Sequence, residues 1–78
     1  MIRTNIILKK KNTIVHIRTK EQNNCIRTYC TIESTLNETS MKNSFDSSKD
    51  ISLFKYRDQL NREVIPMLKD FEILMQGI

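Results

Sequence analysis

The spacing of the apolar residues changes along this chain, and that change constrains the fold more than any other feature. In residues 25–33, CIRTYCTIE, apolar and polar side chains alternate, so that Ile26, Cys30 and Ile32 share one face. Such alternation is typical of a half-buried β-strand. From residue 53 onward, large apolar residues recur every three or four positions, which favours an amphipathic helix. The two periods predict an α+β fold in which strands precede a helix.

Two earlier runs, residues 2–8 and 13–19, are rich in Ile, Val and Thr, as strands are. A two-residue turn at Lys11-Asn12 brings them together, and a turn at Asn23-Asn24 adds residues 25–33. The expected neighbours are all apolar and fall on one face: Leu8 with Val15, Ile6 with Ile17, Ile17 with Cys30, and Val15 with Ile32. Residues 1–33 are therefore predicted to form a three-stranded antiparallel β-meander.

Residues 34–48 consist mostly of Ser, Thr, Asn, Asp and Glu. This composition predicts a polar connector, with Phe45 as its contact to the core. At its end, Ser47 followed by Asp50 resembles a capping box. The connector is thus expected to lead into one long helix over residues 49–77.

The expected helix carries an apolar stripe made of Leu53, Leu60, Val64, Met67, Phe71, Leu74 and Ile78, widened by Phe54, Leu68 and Met75. Arg57 occupies the gap in this stripe. We interpret it as a side chain whose stem covers apolar surface while the guanidinium reaches water, or as a charge that sets the register against an acidic group. Pro66 removes one helical hydrogen bond, but the stripe keeps its phase across it. The prediction is one helix, kinked at Pro66, in a single β-β-β-α domain.

The cysteine count and the chain ends bear on the compartment. Cys25 and Cys30 are expected on opposite faces of one strand, too far apart for a disulfide, which fits free thiols in a reducing cytoplasm. The N-terminus lacks the pattern of a signal peptide, and no apolar run approaches the length of a membrane span. The absence of Ala and the abundance of Ile, Lys and Asn resemble the usage of AT-rich genomes. We therefore expect a cytoplasmic protein from a low-GC genome, such as that of a phage, a mobile element or a low-GC host, which acts in the host cytoplasm if it is viral.

Charge is unevenly distributed. Residues 1–32 contain seven basic and one acidic side chain, and residues 33–78 contain six basic and eight acidic ones. The expected register places most of the basic residues on the sheet face away from the helix. Candidate contacts to an anionic partner are Arg3, Lys9, His16, Arg18, Lys20, Arg27 and Tyr29. An acidic protein and a nucleic acid are both compatible with this face.

Enzymatic chemistry has little support. His16 is the sole histidine, and no Ser or Cys lies in a recognisable nucleophile motif. Cys30 is expected to face away from His16 and Cys25, so a four-ligand metal site is not predicted. A ribonuclease that uses His16 and sheet arginines is the remaining catalytic alternative. We expect a non-enzymatic, inhibitor-like regulatory protein without cofactor, metal, membrane or small-molecule substrate. The alternative is a nucleic-acid-binding module.

The segment after Pro66 is the more apolar half of the expected helix, and that helix is longer than the expected strands. A monomer rarely exposes so large an apolar patch. A homodimer is therefore expected, whose subunit interface consists of Met67, Leu68, Phe71, Leu74, Met75 and Ile78.

Overall fold

The computed structural model describes residues 2–76 as an antiparallel sheet followed by one helix. The strands are β1 Asn5–Lys10, β2 Thr13–Glu21, β3 Cys25–Ser34 and β4 Ser40–Ser48, and the helix is α1 Leu53–Gln76. The strands lie in the order β1-β2-β3-β4, so each hairpin places neighbours in sequence side by side. The α+β class and the order of strands before helix are confirmed.

The register of the first three strands is also as expected. Leu8 pairs with Val15, and Val15 pairs with Ile32. Lys10 pairs with Thr13, which leaves Lys11 and Asn12 as the two-residue turn. The positive φ in this turn, 51°, falls on Lys11 rather than on Asn12. Matching the apolar residues on one face was thus enough to find the register.

The prediction of three strands is wrong, because residues 40–48 of the expected connector form β4. This strand pairs with β3 from Cys25↔Ser48 to Glu33↔Ser40. It is an edge strand, and most of its side chains are exposed, so Ser, Asn and Lys suit it. Phe45 is half-buried, with its ring centroid 6.3 Å from that of Tyr56. The predicted contact of Phe45 with the core is therefore real, although it comes from a strand.

The helix begins later than predicted. The hydroxyl oxygen of Ser52 accepts the Lys55 amide at 3.2 Å, so Ser52 is the N-cap of α1. The capping box predicted at Ser47 and Asp50 is wrong, because Ser47 belongs to β4. The helix continues through Pro66, and the preference for one helix over two is confirmed.

The core lies between the helix and the inward face of the sheet. The apolar cluster contains Val15, Ile17, Cys30 and Ile32 from the sheet and Val64, Met67 and Phe71 from the helix. Ile32 is 0% exposed and Phe71 is 1% exposed. The inward apolar side chains of the strands therefore pack against the apolar side chains of the helix after residue 60, as predicted.

The first two turns of the helix differ from the predicted stripe. Tyr56 is the buried residue there, and its hydroxyl lies 2.7 Å from the hydroxyl of buried Thr28. Leu53 and Phe54 are exposed instead, and so is Arg57, which therefore does not complete the stripe. A tyrosine was overlooked because its burial depends on a partner for its hydroxyl, and Thr28 supplies that partner from another element.

The segment after Pro66 packs largely on its own chain. Met67 and Phe71 are buried in the core cluster, and Leu68 and Met75 are partly buried against it. The expectation that a monomer would expose the apolar side chains of this segment is therefore wrong for Met67 and Phe71. Leu74 is 47% exposed, and Ile78 lies outside the described residues. A subunit interface along this segment stays a prediction.

Candidate functional site

The candidate site is the sheet face opposite the helix, here called the outer face. Its side chains alternate with the buried ones along each strand. Its members include Asn5, Ile7 and Lys9 of β1; Ile14, His16, Arg18 and Lys20 of β2; Arg27, Tyr29, Thr31 and Glu33 of β3; and Lys42, Ser44 and Asp46 of β4. The register places these residues in rows that cross the strands.

Six of the seven side chains predicted to bind an anionic partner lie on this face: Lys9, His16, Arg18, Lys20, Arg27 and Tyr29. The seventh, Arg3, is exposed and precedes β1. Sequence reasoning missed Lys42 and Asp46, because it did not recognise β4. The signal that it overlooked was the even spacing of Met41 and Phe45, which places both apolar side chains on one face of an otherwise polar strand.

Arg18 and Tyr29 form a cation–π pair near the middle of the outer face. They are opposite each other on β2 and β3, and the guanidinium carbon of Arg18 lies 5.0 Å from the centroid of the Tyr29 ring. This is a cation–π distance. The pair therefore places a cation beside an aromatic ring on the face that a partner would meet.

Arg27 makes a two-pronged ion pair with Asp46. Its Nε donates to Oδ1 at 2.8 Å, and its terminal nitrogen donates to Oδ2 at 3.2 Å. Arg27 lowers the pKa of the Asp46 carboxyl, chiefly through this hydrogen bond. In turn, Asp46 raises the pKa of Arg27. The pair joins β3 to β4 and neutralises one of the cations on the outer face.

The outer face is partly apolar toward β1. Ile7 is 58% exposed and is opposite His16. The Nε2 atom of His16 lies 2.9 Å from Oδ1 of Asn5, in a cross-strand hydrogen bond. Ile14 is half-buried on the same side. A partner on this face therefore meets apolar surface beside the cations.

The positive charge of the chain is concentrated on the outer face and its hairpin. Among residues 2–76, five cations and two acidic groups lie there: Lys9, Arg18, Lys20, Arg27 and Lys42, with Glu33 and Asp46. The adjoining hairpin adds Lys10 and Lys11. The helix, in contrast, carries four basic and four acidic side chains. The field of the molecule thus favours an anionic partner on the sheet side.

The cysteines and the acidic groups do not converge. Cys25 and Cys30 are free thiols on opposite faces of β3, and burial raises the pKa of Cys30. Across residues 2–76, no group of three or more His, Cys, Asp or Glu side chains is arranged to hold a metal ion. No helix in this part of the chain is long and apolar enough to cross a membrane.

Comparison with known proteins found no match to this chain. No protein-family model matches the chain. No curated protein matches it significantly, and no solved structure does so either.

Proposed function

We propose that this is a non-catalytic regulatory protein, of the inhibitor type, that binds an acidic surface of another protein through its outer face. The observation that carries the proposal is the concentration of positive charge around the Arg18–Tyr29 pair. Arg and Tyr are enriched among the residues that dominate protein interfaces. Interspersed cations also steer an acidic partner toward the face and increase the rate of association.

The composition of the outer face favours a protein over a nucleic acid. Among the described residues of this face, Tyr29 is the one Phe, Tyr or Trp, and Arg18 already lies over its ring. A nucleic-acid-binding sheet usually offers several open rings to bases. Exposed Ile7 also suits the apolar part of a protein interface.

Nucleic-acid binding is the second candidate, supported by the excess of cations on the same face. Lys9, Lys20 and Lys42 are exposed there, and lysines contact phosphates without regard to sequence. This candidate predicts affinity that falls steeply with salt, because bound cations release counterions from the polyanion.

The test is site-specific photo-crosslinking with a matched charge control. A photoreactive amino acid replaces Ser44, which is exposed on the outer face opposite Tyr29, or Asn61, which is exposed on the helix. We expect a discrete acidic protein to crosslink at position 44 and not at 61, in a nuclease-treated extract of the encoding organism. Arg18→Glu with Lys20→Glu should abolish the crosslink, while Lys55→Glu with Lys69→Glu should preserve it.

The same variants separate the two candidates. Mixed-sequence DNA and RNA oligonucleotides are titrated by fluorescence anisotropy at about 50 mM and about 200 mM salt. Tight binding that the Arg18→Glu/Lys20→Glu variant loses, without any protein crosslink at position 44, would assign the nucleic-acid function instead. A protein that crosslinks equally from positions 44 and 61 would contradict both.

A further inference from the structure

We infer that β1 is a pairing edge for a second copy of this chain. Two β1 strands join antiparallel about a two-fold axis at Ile7, so that two four-stranded sheets become one sheet of eight strands. The inference rests on the edge of the sheet and not on the charge of the outer face, although Ile7 belongs to both.

The first observation is the exposure of β1. All six of its residues are exposed, and the helix contacts β3 and β4. Ile6, Ile7 and Leu8 are 39%, 58% and 56% exposed, respectively. Consecutive residues of a strand point to opposite faces, so apolar surface borders this edge on both sides. Natural edge strands usually place charges or Pro at such a centre to prevent pairing.

The backbone of β1 offers hydrogen-bonding groups at the same place. The amide of Thr19 donates to the carbonyl of Thr4 at 3.1 Å, so Thr4 directs its carbonyl toward β2. Bonded and non-bonded pairs alternate along an antiparallel ladder. Asn5, Ile7 and Lys9 therefore direct their N–H and C=O groups away from β2, toward the open edge.

Side-chain matching selects one register for the pair. Both helices lie on one side of the joined sheet when inward residues pair with inward residues. With the axis at Ile7, Ile7 is opposite its own copy and Ile6 is opposite Leu8 of the second copy. A shift of two residues would place Leu8 opposite Thr4, or Ile6 opposite Lys10. The register centred on Ile7 is therefore the one that covers all three apolar side chains.

That register also makes the outward backbone groups meet. Ile7 forms a hydrogen-bonded pair with Ile7 of the second copy, and Asn5 forms one with Lys9 on each side of the axis. These are the residues whose N–H and C=O groups point to the open edge. The register that matches the apolar side chains thus also gives hydrogen-bond partners to the outward N–H and C=O groups of β1.

The lysines explain why the pairing is antiparallel. Lys9, Lys10 and Lys11 lie together at one end of β1 and its turn. A parallel pair would place the two clusters opposite each other. In the antiparallel pair, Lys9 and its copy are four residues apart along the strand, roughly 14 Å, which is beyond the screening length of about 8 Å at physiological salt.

The other edge of the sheet explains why the assembly is expected to stop at two copies. β4 carries Lys42, Ser44 and Asp46 on the outer face, and Asn43 on its inward face is exposed. This polar edge does not present a centre of apolar side chains to pair with another strand. Because each chain has one β1 edge, the two-fold pair is closed.

The first experiment is disulfide trapping in a Cys25→Ser background, where the remaining native thiol, Cys30, is buried. In a hydrogen-bonded antiparallel pair the facing Cα atoms are about 5.5 Å apart, within disulfide range. We expect Ile7→Cys to form a covalent dimer under mild oxidation. Asn5→Cys is the control, because position 5 is roughly 14 Å from its own copy in this register. A dimer trapped through Asn5→Cys and not through Ile7→Cys would overturn the register.

The second experiment is sedimentation equilibrium of the chain without added cysteines, up to about 1 mM protein. We expect the unmodified chain to dimerise, and Ile7→Lys to raise the dimer dissociation constant at least roughly ten-fold. Circular dichroism checks that this exposed substitution leaves the fold intact. The control Leu74→Asp changes an exposed position on the helix and should preserve the dimer. A chain that stays monomeric, or a dimer lost in Leu74→Asp and kept in Ile7→Lys, would overturn the inference.

Discussion

The inward face of the sheet is covered by the helix at its centre and exposed to solvent at β1. One row of paired residues crosses all four strands: Leu8, Val15, Ile32 and Met41. Leu8 is 56% exposed, Val15 is 7% exposed and Ile32 is 0% exposed, while Met41 is partly buried. Residues of similar chemistry in one row therefore differ in burial because the helix covers only part of the sheet.

Polar contacts hold the helix toward β4. Gln59 accepts a hydrogen bond from Ser47 at 2.7 Å and donates one to the Asp46 carbonyl at 3.0 Å. One turn later, Glu63 accepts a hydrogen bond from Asn43 at 3.2 Å. The helix therefore lies over β3 and β4 and leaves β1 uncovered, although β1 is more apolar than β4.

The largest expected effect on stability comes from truncating the most buried side chain of this row, and the most exposed one is the comparison. Ile32→Ala should destabilise the fold by about 2–5 kcal/mol, because it leaves a cavity in the sealed core. Leu8→Ala should cost less than about 1 kcal/mol, since its side chain is more than half exposed in the single chain.

Urea unfolding followed by circular dichroism measures both variants, at a protein concentration too low for self-association. Similar losses for Ile32→Ala and Leu8→Ala would show that β1 is covered within the single chain, and the contrast between the two regions would then disappear.

A smaller effect is expected from the buried hydrogen bond between Tyr56 and Thr28, which fixes the start of the helix over β3. Tyr56→Phe leaves the Thr28 hydroxyl buried without its partner, and should cost about 1–3 kcal/mol. Adding Thr28→Val removes the orphaned hydroxyl and should recover part of that loss. Thermal unfolding of both single variants and of the double variant gives the coupling. Additive losses would mean that the two hydroxyls do not depend on each other.

The smallest effect concerns the exposed ion pair between β3 and β4. Arg27 lowers the pKa of Asp46 in the folded state, so the pair stabilises the fold above the ordinary Asp pKa of about 3.9. That contribution is lost as the pH falls through the lowered pKa. NMR titration of the Asp46 carboxyl should show its pKa rising in Arg27→Gln. Lys20→Gln, which removes the neighbouring charge, is the control and should raise it less. Equal shifts would indicate a general field instead of the hydrogen-bonded pair.

Several features were predictable from the sequence because they depend on local period. The alternation in residues 25–33 and the apolar matching of Leu8 with Val15 determined three strands and their register. The spacing of Val64, Met67 and Phe71 determined the buried side of the helix. The outer-face positions of Arg18, Arg27 and Tyr29 followed from the same parity. In each case, the apolar side chains recur with the period of the element, so they lie on one face, and that face is the one that is buried.

Other features were decided only when distant elements met. β4 exists because β3 offers it a ladder of backbone hydrogen bonds, although its own side chains are mostly polar. Tyr56 is buried, and its neighbour Arg57 is exposed, because Thr28 provides a partner for the Tyr56 hydroxyl. The exposure of β1 likewise depends on where the helix crosses the sheet. Local periodicity specifies what a segment can bury, but the position of its partners in three dimensions decides what it does bury.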